Sequence, residues 1–140
     1  MAKIVISNST GIQQFDGDSG LQIDSSLSKS PLMSSTALTA ATTLVDGGLY
    51  TVSGGGALTM VMPLASSVPG AQFIVRNLSA HAHALTGSAE AGGTKVFTDG
   101  TSRGSKIALA AAVGNSVTLV SDGVNFCVMA NSGSLTISGG

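Results

Sequence analysis

Apolar and polar residues alternate in eight short runs between positions 49 and 138. The runs cover residues 49–53, 57–63, 71–77, 82–87, 105–110, 115–121, 125–131 and 134–138. Alternation with a period of two is typical of a strand with one buried face. Gly, Asn-Ser, Asp-Gly or Pro-Gly separates most of the runs, and these residues favour turns. The pattern predicts an all-β domain over residues 36–140, either an antiparallel sandwich or a barrel of the jelly-roll type.

Two further segments have a composition that is compatible with a helix. The first, "STALTAATTL" at 35–44, contains four Thr residues, and the second, "ALAAAV" at 108–113, is very short. Thr disfavours helices because its branched side chain loses rotamer freedom there. We therefore expect strand or loop at both segments.

Residues 1–35 have a different pattern, with isolated apolar positions in a background of Ser, Asp, Gln and Gly. A short strand is predicted at 4–6, and Asp-Gly at 16–17 and Ser-Gly at 19–20 are turn signals. So few apolar residues can hardly bury a core of their own. We expect an extended arm that becomes ordered on a partner by strand addition or groove binding, and a flexible N-terminus is the alternative. The predicted anchors are Ile4, Ile6, Ile12, Phe15, Leu21 and Ile23.

Composition indicates an assembly. Charged residues make up 9% of the 140-residue chain, against about 25% in typical soluble domains. Such a chain has few charges to spread over the surface of a free monomer, so we expect copies of itself or a larger particle to cover much of it. The six basic residues are scattered and the net charge is −1, which disfavours nucleic-acid binding.

The longest apolar run, Ile107–Val113, is much too short to cross a membrane. The first ten residues lack the apolar core of a signal peptide. We therefore expect synthesis in the cytoplasm, and the sequons at Asn8 and Asn77 are interpreted as chance matches.

Gly54-Gly55-Gly56 is the stretch that most resembles a phosphate-binding loop. A Walker A loop needs a following Lys and a helix, whereas here a strand pattern follows and the next lysine is Lys95. The triplet is therefore interpreted as a hairpin turn, in which glycine permits a positive φ. Two Asp-Gly pairs, at 46–47 and 122–123, are likewise interpreted as hairpins.

Candidate chemistry elsewhere is sparse. His81 and His83 would share one face of a strand and could begin a metal site, for example at a three-fold axis, but two neutral histidines without a metal are the default. Cys127 is expected to be a buried small hydrophobe, since no neighbouring residue would activate it. The Gly-x-Ser-x-Gly pattern occurs at 100–104 (GTSRG), but this stretch is interpreted as a polar loop followed by a strand pattern and not by a helix. Most of the acids stand in turn contexts, so no catalytic role and no cofactor are predicted.

Sugar binding is the alternative to a structural role. Tyr50, Phe73 and Phe126 lie within alternating runs and are expected in the core. Only Phe97, in "TKVFTDG", is a candidate for an exposed stacking platform.

Two stretches carry a resemblance to a known class of protein. "LYTVSGGGALTMVMPLASSVPGAQFIVRNLS" joins a Tyr-x-Val strand, a Gly turn, a strand ending in Pro, a Pro-Gly segment and a strand ending in Asn, and "VTLVSDGVNFCVM" follows later. This order resembles the β-modules of virion proteins of tailed bacteriophages, most closely those of capsid decoration (cement) proteins. Related modules occur in head and tail fibres.

The resemblance implies a homotrimer on the outer surface of a phage capsid that stabilises the shell by bridging subunits of the major capsid protein. Residues 1–35 would then be the capsid-binding arm and residues 36–140 the β-domain. A fibre or tail module that binds a receptor or a glycan is the alternative.

Overall fold

The computed structural model describes residues 33–88 and 95–139 with their side chains, and residues 3–7, 11–15 and 20–23 as backbone strands. Its strands are β1 Lys3–Ser7, β2 Gly11–Phe15, β3 Gly20–Ile23, β4 Ser35–Leu38, β5 Gly48–Val52, β6 Thr59–Val61, β7 Gln72–Asn77, β8 His83–Thr86, β9 Phe97–Thr98, β10 Arg103–Gly104, β11 Lys106–Leu109, β12 Ser116–Ser121, β13 Phe126–Ser132 and β14 Leu135–Ser138. A single 3-10 turn is described, at Ala65–Ser67. The chain divides into two compact units, Met1–Met33 and Ser34–Gly140.

The first unit contains a three-stranded sheet in the order β2-β1-β3. Strand β1, at the predicted position, pairs antiparallel with β2, where Ile6 lies opposite Ile12, and parallel with β3, where Ile4 lies opposite Leu21. The six predicted anchors belong to these three strands, but their side chains lie outside the part of the chain that the structure describes. The extended capsid-binding arm therefore stays a prediction.

The second unit consists of two sheets. The larger has the order β10-β9-β13-β12-β7-β5-β4, and the smaller has the order β14-β11-β8-β6. Each of the eight alternating runs contains one strand, and the two segments with helix-like composition are strand and loop as expected. The prediction of an all-β fold is confirmed. The two-residue strands β9 and β10 were not predicted, because so short a strand has no measurable alternation.

Both sheets are mixed, whereas the sequence pattern predicted antiparallel ones. Strand β5 pairs parallel with β4 and β7, and β6 pairs parallel with β8. The cause is the path of the chain, which leaves the larger sheet after β5, contributes β6 to the smaller sheet and returns as β7. Such a crossover brings the chain back in its original direction.

The two sheets are connected along both edges. On one side the chain passes from β10 to β11 through Ser105, whose N–H donates to the Gly139 carbonyl over 3.1 Å. On the other side the segment after β4 pairs with β6, where the Leu44 N–H donates to the Val61 carbonyl over 2.8 Å. The first bond continues the β11–β14 ladder of the smaller sheet, whereas the second pairs the segment after β4 with the edge strand β6. The β6 edge of the smaller sheet is therefore partly covered.

A chain of aromatic rings runs through the core. Tyr50 stacks on Phe73 with ring centroids 6.3 Å apart, Phe73 meets Phe126 edge-on at 5.7 Å, and Phe126 lies 6.0 Å from Phe97. The prediction that Tyr50, Phe73 and Phe126 belong to the core is confirmed. No helix in residues 33–88 or 95–139 is long and apolar enough to cross a membrane.

Candidate functional site

The glycine triplet does not form a hairpin. Strands β5 and β6 on its two sides belong to different sheets, and none of the three glycines has a positive φ. The prediction of a hairpin turn is therefore wrong, and Gly54–Gly56 is part of the crossover between the sheets. A Cβ at Gly54 would lie 2.6 Å from Leu58 Cδ1, so a larger residue there would force the Leu58 side chain to shift.

The two Asp-Gly pairs also differ. Asp46-Gly47 precedes β5, which pairs parallel with β4, so the predicted hairpin at this position is wrong. Asp122-Gly123 does form a hairpin, between the antiparallel strands β12 and β13, with Gly123 at φ 89°. Asp122 Oδ1 accepts the N–H groups of Val124 and Asn125, which is how an aspartate stabilises its own turn.

A polar network occupies one end of the sandwich, where β7 ends and β8 begins. Asn77, fully buried at the end of β7, accepts the Ser79 hydroxyl at 3.1 Å and donates to the His81 carbonyl at 2.8 Å. His83, 1% exposed at the start of β8, lies with Nε2 2.7 Å from Ser79 Oγ and with Nδ1 3.1 Å from the Leu58 nitrogen. The network ties the β7–β8 connection to the crossover that contains the glycine triplet.

The backbone determines the tautomer of His83. A backbone N–H can only donate, so Nδ1 must accept from Leu58 and Nε2 must carry the proton. Nε2 therefore donates to Ser79 Oγ, and the Ser79 hydroxyl donates to Asn77. A serine nucleophile needs the opposite arrangement, with a histidine nitrogen that accepts the hydroxyl proton. This serine–histidine pair consequently serves as a structural hydrogen-bond chain.

The environment of His83 opposes its protonation. Burial, and to a smaller extent the nearby His81, lower its pKa. A second proton would have to go on Nδ1, where it would face the Leu58 N–H. His83 is therefore held neutral.

The predicted pairing of His81 and His83 on one face is wrong. His81 precedes β8 and is exposed, whereas His83 is buried with both ring nitrogens engaged in hydrogen bonds. The pair therefore does not chelate a metal. Within residues 33–88 and 95–139, no three His, Cys, Asp or Glu side chains are close enough to hold a metal ion.

The sequon at Asn77 fits the interpretation of a chance match. The amide of Asn77 is buried and hydrogen-bonded to backbone carbonyls, so it is not presented to a modifying enzyme. The sequence hint for the network was the Asn-Leu-Ser stretch at the end of an alternating run. It could not show that His83 points inward.

The predictions for Cys127 and Phe97 are both wrong, because the residue expected to be buried is half-exposed and the one expected to be exposed is buried. Cys127 is half-exposed rather than buried, with Sγ 3.6 Å from Asp122 Oδ2, because it is on the outward side of β13. Burial and then the Asp122 carboxylate raise the pKa of its thiol, which keeps it protonated at neutral pH. Phe97 is 0% exposed and packs on Phe126, so the predicted stacking platform for a sugar is absent.

The outward side of the larger sheet has an apolar region at its centre. Its apolar side chains lie in the rows Leu49–Ile74–Thr118–Ala130 and Gln72–Val120–Cys127. The second row continues through Thr98 to Arg103, and the next row, Thr51–Arg76–Ser116–Ser132, is polar. We call this surface, with its neighbour Met129, the outer face. Arg76 is the only charged residue in strands β4, β5, β7, β12 and β13.

Met129 is the most exposed apolar side chain of the outer face, at 65%. Thr118 pairs with Ala130 and Leu119 with Val128, which leaves Met129 as the extra residue of a β-bulge. A bulge of this kind turns a side chain out of the regular alternation, which is why the sequence pattern did not single out Met129.

Comparison with protein-family models, with curated proteins and with solved structures finds no match to this chain.

Proposed function

We propose that this chain is a structural protein of a phage virion, a decoration protein that binds the outside of the capsid as a trimer. The resemblance of residues 49–78 and 117–129 to phage virion β-modules suggests the class. The observation that carries the proposal is the outer face, a sheet surface with several aliphatic side chains, on which the outward rows contain only two charged residues, Arg76 and Arg103. An exposed surface of this kind marks an interaction site.

The mechanism is passive stabilisation. In the proposed trimer the outer face packs against neighbouring copies, and the arm at residues 1–35 attaches each copy to the major capsid protein. A standard protein interface buries about 1,600 Å², and three linked attachments raise the effective affinity well above that of one. A shell can open only after these contacts are lost, so binding raises the temperature at which it opens.

The attachment is tested with shells that lack the protein. The full chain should sediment with them and raise their disruption temperature. Replacing a predicted anchor by an acidic residue, as in Ile12→Asp, should abolish co-sedimentation with the shells. Gln14→Asp, in the same strand but not at an anchor position, should still co-sediment. Equal binding of both variants would contradict the arm, and failure of the unaltered chain to bind any phage shell would contradict the function.

The trimer is tested separately by light scattering. Ile74→Lys places a charge at the centre of the outer face and should reduce the mass from trimer to monomer. Thr136→Lys adds the same charge at an exposed position of β14, in the smaller sheet, and should leave the trimer intact. A monomeric unaltered chain, or a trimer in both variants, would contradict the role of the outer face.

A further inference from the structure

A cleft of about 350 Å³ lies beside the β12–β13 hairpin and is lined by Lys95, Val96, Arg103, Val124 and Asn125. Three separate parts of the chain meet there: the residues that lead into β9, the start of β10 and the end of the hairpin. They meet because β9 pairs with both β10 and β13 in the larger sheet. Of these five residues only Arg103 shares a cross-strand row with the outer face.

The described lining residues include two cations and no acid. The guanidinium of Arg103 donates to Asn125 Oδ1 over 2.7 Å, which fixes its position at the cleft. A guanidinium has five N–H donors in a planar fork, a geometry that suits a carboxylate. Lys95 is exposed and adds a second positive charge from β9's side.

The two nearest carboxylates in the sequence are engaged elsewhere. Asp122 accepts the hairpin's own N–H groups, and Asp99 accepts those of Thr101 and Ser102 in the β9–β10 turn. These backbone donors lower the pKa of both carboxyls. Neither carboxylate is among the described residues that line the cleft, although Asp122 also hydrogen-bonds the Asn125 side chain. The described lining therefore carries a net positive charge.

The size and the lining of the cleft indicate a ligand larger than a single inorganic ion. Volumes of about 300 Å³ and above are typical of sites for small organic ligands. Val124, 73% exposed, and the largely buried Val96 provide aliphatic surface that can pack against the C–H face of a ring. Because Asn125 Oδ1 accepts from Arg103 and the Asn125 side chain also hydrogen-bonds the Asp122 carboxylate, one N–H of Nδ2 is left to donate to a hydroxyl.

We propose that this cleft binds an acidic sugar of the hexuronate type. Arg103 and Lys95 would take the carboxylate, Asn125 a ring hydroxyl, and Val124 the apolar side of the ring. The site goes beyond attachment to a shell and does not depend on it.

The test is an NMR titration of the ¹⁵N-labelled full chain with glucuronate, glucose and acetate. Glucuronate should shift the amide signals of Val96, Val124 and Asn125 with a dissociation constant in the millimolar range. Glucose lacks the carboxylate and acetate lacks the ring, so each should bind at least about tenfold more weakly. If acetate bound as tightly as glucuronate, the proposal of a sugar ligand would be overturned and the cleft would be a simple anion site. If glucose bound as tightly, the proposed role of the two cations would be overturned.

Variants locate the site. Arg103→Gln and Lys95→Gln should each weaken glucuronate binding about tenfold, the effect of losing one charge-assisted contact. Lys106→Gln removes the same charge outside the cleft and should change nothing. Lys95→Gln keeps the Arg103–Asn125 bond, so its loss of binding cannot come from a disturbed hairpin. No shifts with glucuronate, or an equal loss in Lys106→Gln, would overturn the proposal.

Discussion

The buried neutral His83 makes the stability of this protein depend on pH in a range where few other groups titrate. In the unfolded chain a histidine has its ordinary pKa of about 6.5, whereas in the folded protein burial and His81 lower the pKa of His83. The unfolded state therefore binds the proton more readily. The contribution of His83 to stability is fully present above pH 6.5 and is lost as the pH falls below that value.

The magnitude follows from this linkage. Below about pH 6.5 the free energy of unfolding should fall by up to about 1.4 kcal/mol for each pH unit, until the pKa of folded His83 is reached. Protonation would also turn Nδ1 from an acceptor into a donor that faces the Leu58 N–H, 3.1 Å away in the neutral state. The crossover of Gly54–Gly56 would lose one of its attachments to β8.

Urea denaturation between pH 7.5 and 5.0 measures this directly. The chain has only two histidines, so His83→Gln should be less stable at pH 7.5 and should lose the slope, while His81→Gln should keep most of it. Removing His81 takes away a minor cause of the lowered pKa of His83. In His81→Gln the free energy of unfolding should therefore decrease slightly less on acidification than in the unaltered chain. A flat profile in the unaltered chain, or an unchanged slope in His83→Gln, would refute the reasoning.

Four other substitutions and one chemical reaction test the core, the glycine positions and the thiol. Phe73→Leu keeps apolar volume but loses two ring pairs, so it should cost about 1–3 kcal/mol in chemical denaturation, and Phe97→Leu, with one pair, should cost about half as much. Gly55→Ala should be neutral or stabilising by up to about 1 kcal/mol, because nothing lies within 4 Å and its φ is not positive. Gly133→Ala, between β13 and β14, should lower the melting temperature clearly, because Gly133 has φ 81°. Equal changes in melting temperature for Gly55→Ala and Gly133→Ala would contradict the backbone conformations described for these two glycines. The thiol of Cys127 should react with iodoacetamide at pH 8 more slowly than free cysteine, because its pKa is raised; an equal or faster rate would contradict that environment.

The alternating pattern was sufficient to locate most strands of the second unit. The buried positions of β5, Gly48, Tyr50 and Val52, follow the period of two that is visible in "GLYTV". That period arises from the local geometry of an extended chain, so it can be read without knowledge of the partners. The core positions of Tyr50, Phe73 and Phe126 follow for the same reason.

Strand pairing was decided by the tertiary structure. Nothing local in "VSGGGAL" distinguishes a hairpin from a crossover, since both need a flexible connection between two extended segments. The choice depends on which sheet offers a free edge and apolar surface to β6, and this is a property of residues far away in the sequence. The wrong hairpin at Gly54–Gly56 and the parallel pairs of β5 have this one cause.

The same division holds for the candidate sites. The sequence showed two histidines two residues apart and an aromatic residue in a loop-like stretch, but the start of β8 determines that His83 is buried while His81 is exposed. Likewise the pairing of β9 with β13 buries Phe97 and brings Lys95, Arg103 and Asn125 to one cleft. The sequence by itself determined where the chain is extended and which face of each long strand is apolar. Only the tertiary structure decided which side chains meet, because meeting depends on contacts between residues that are distant along the chain.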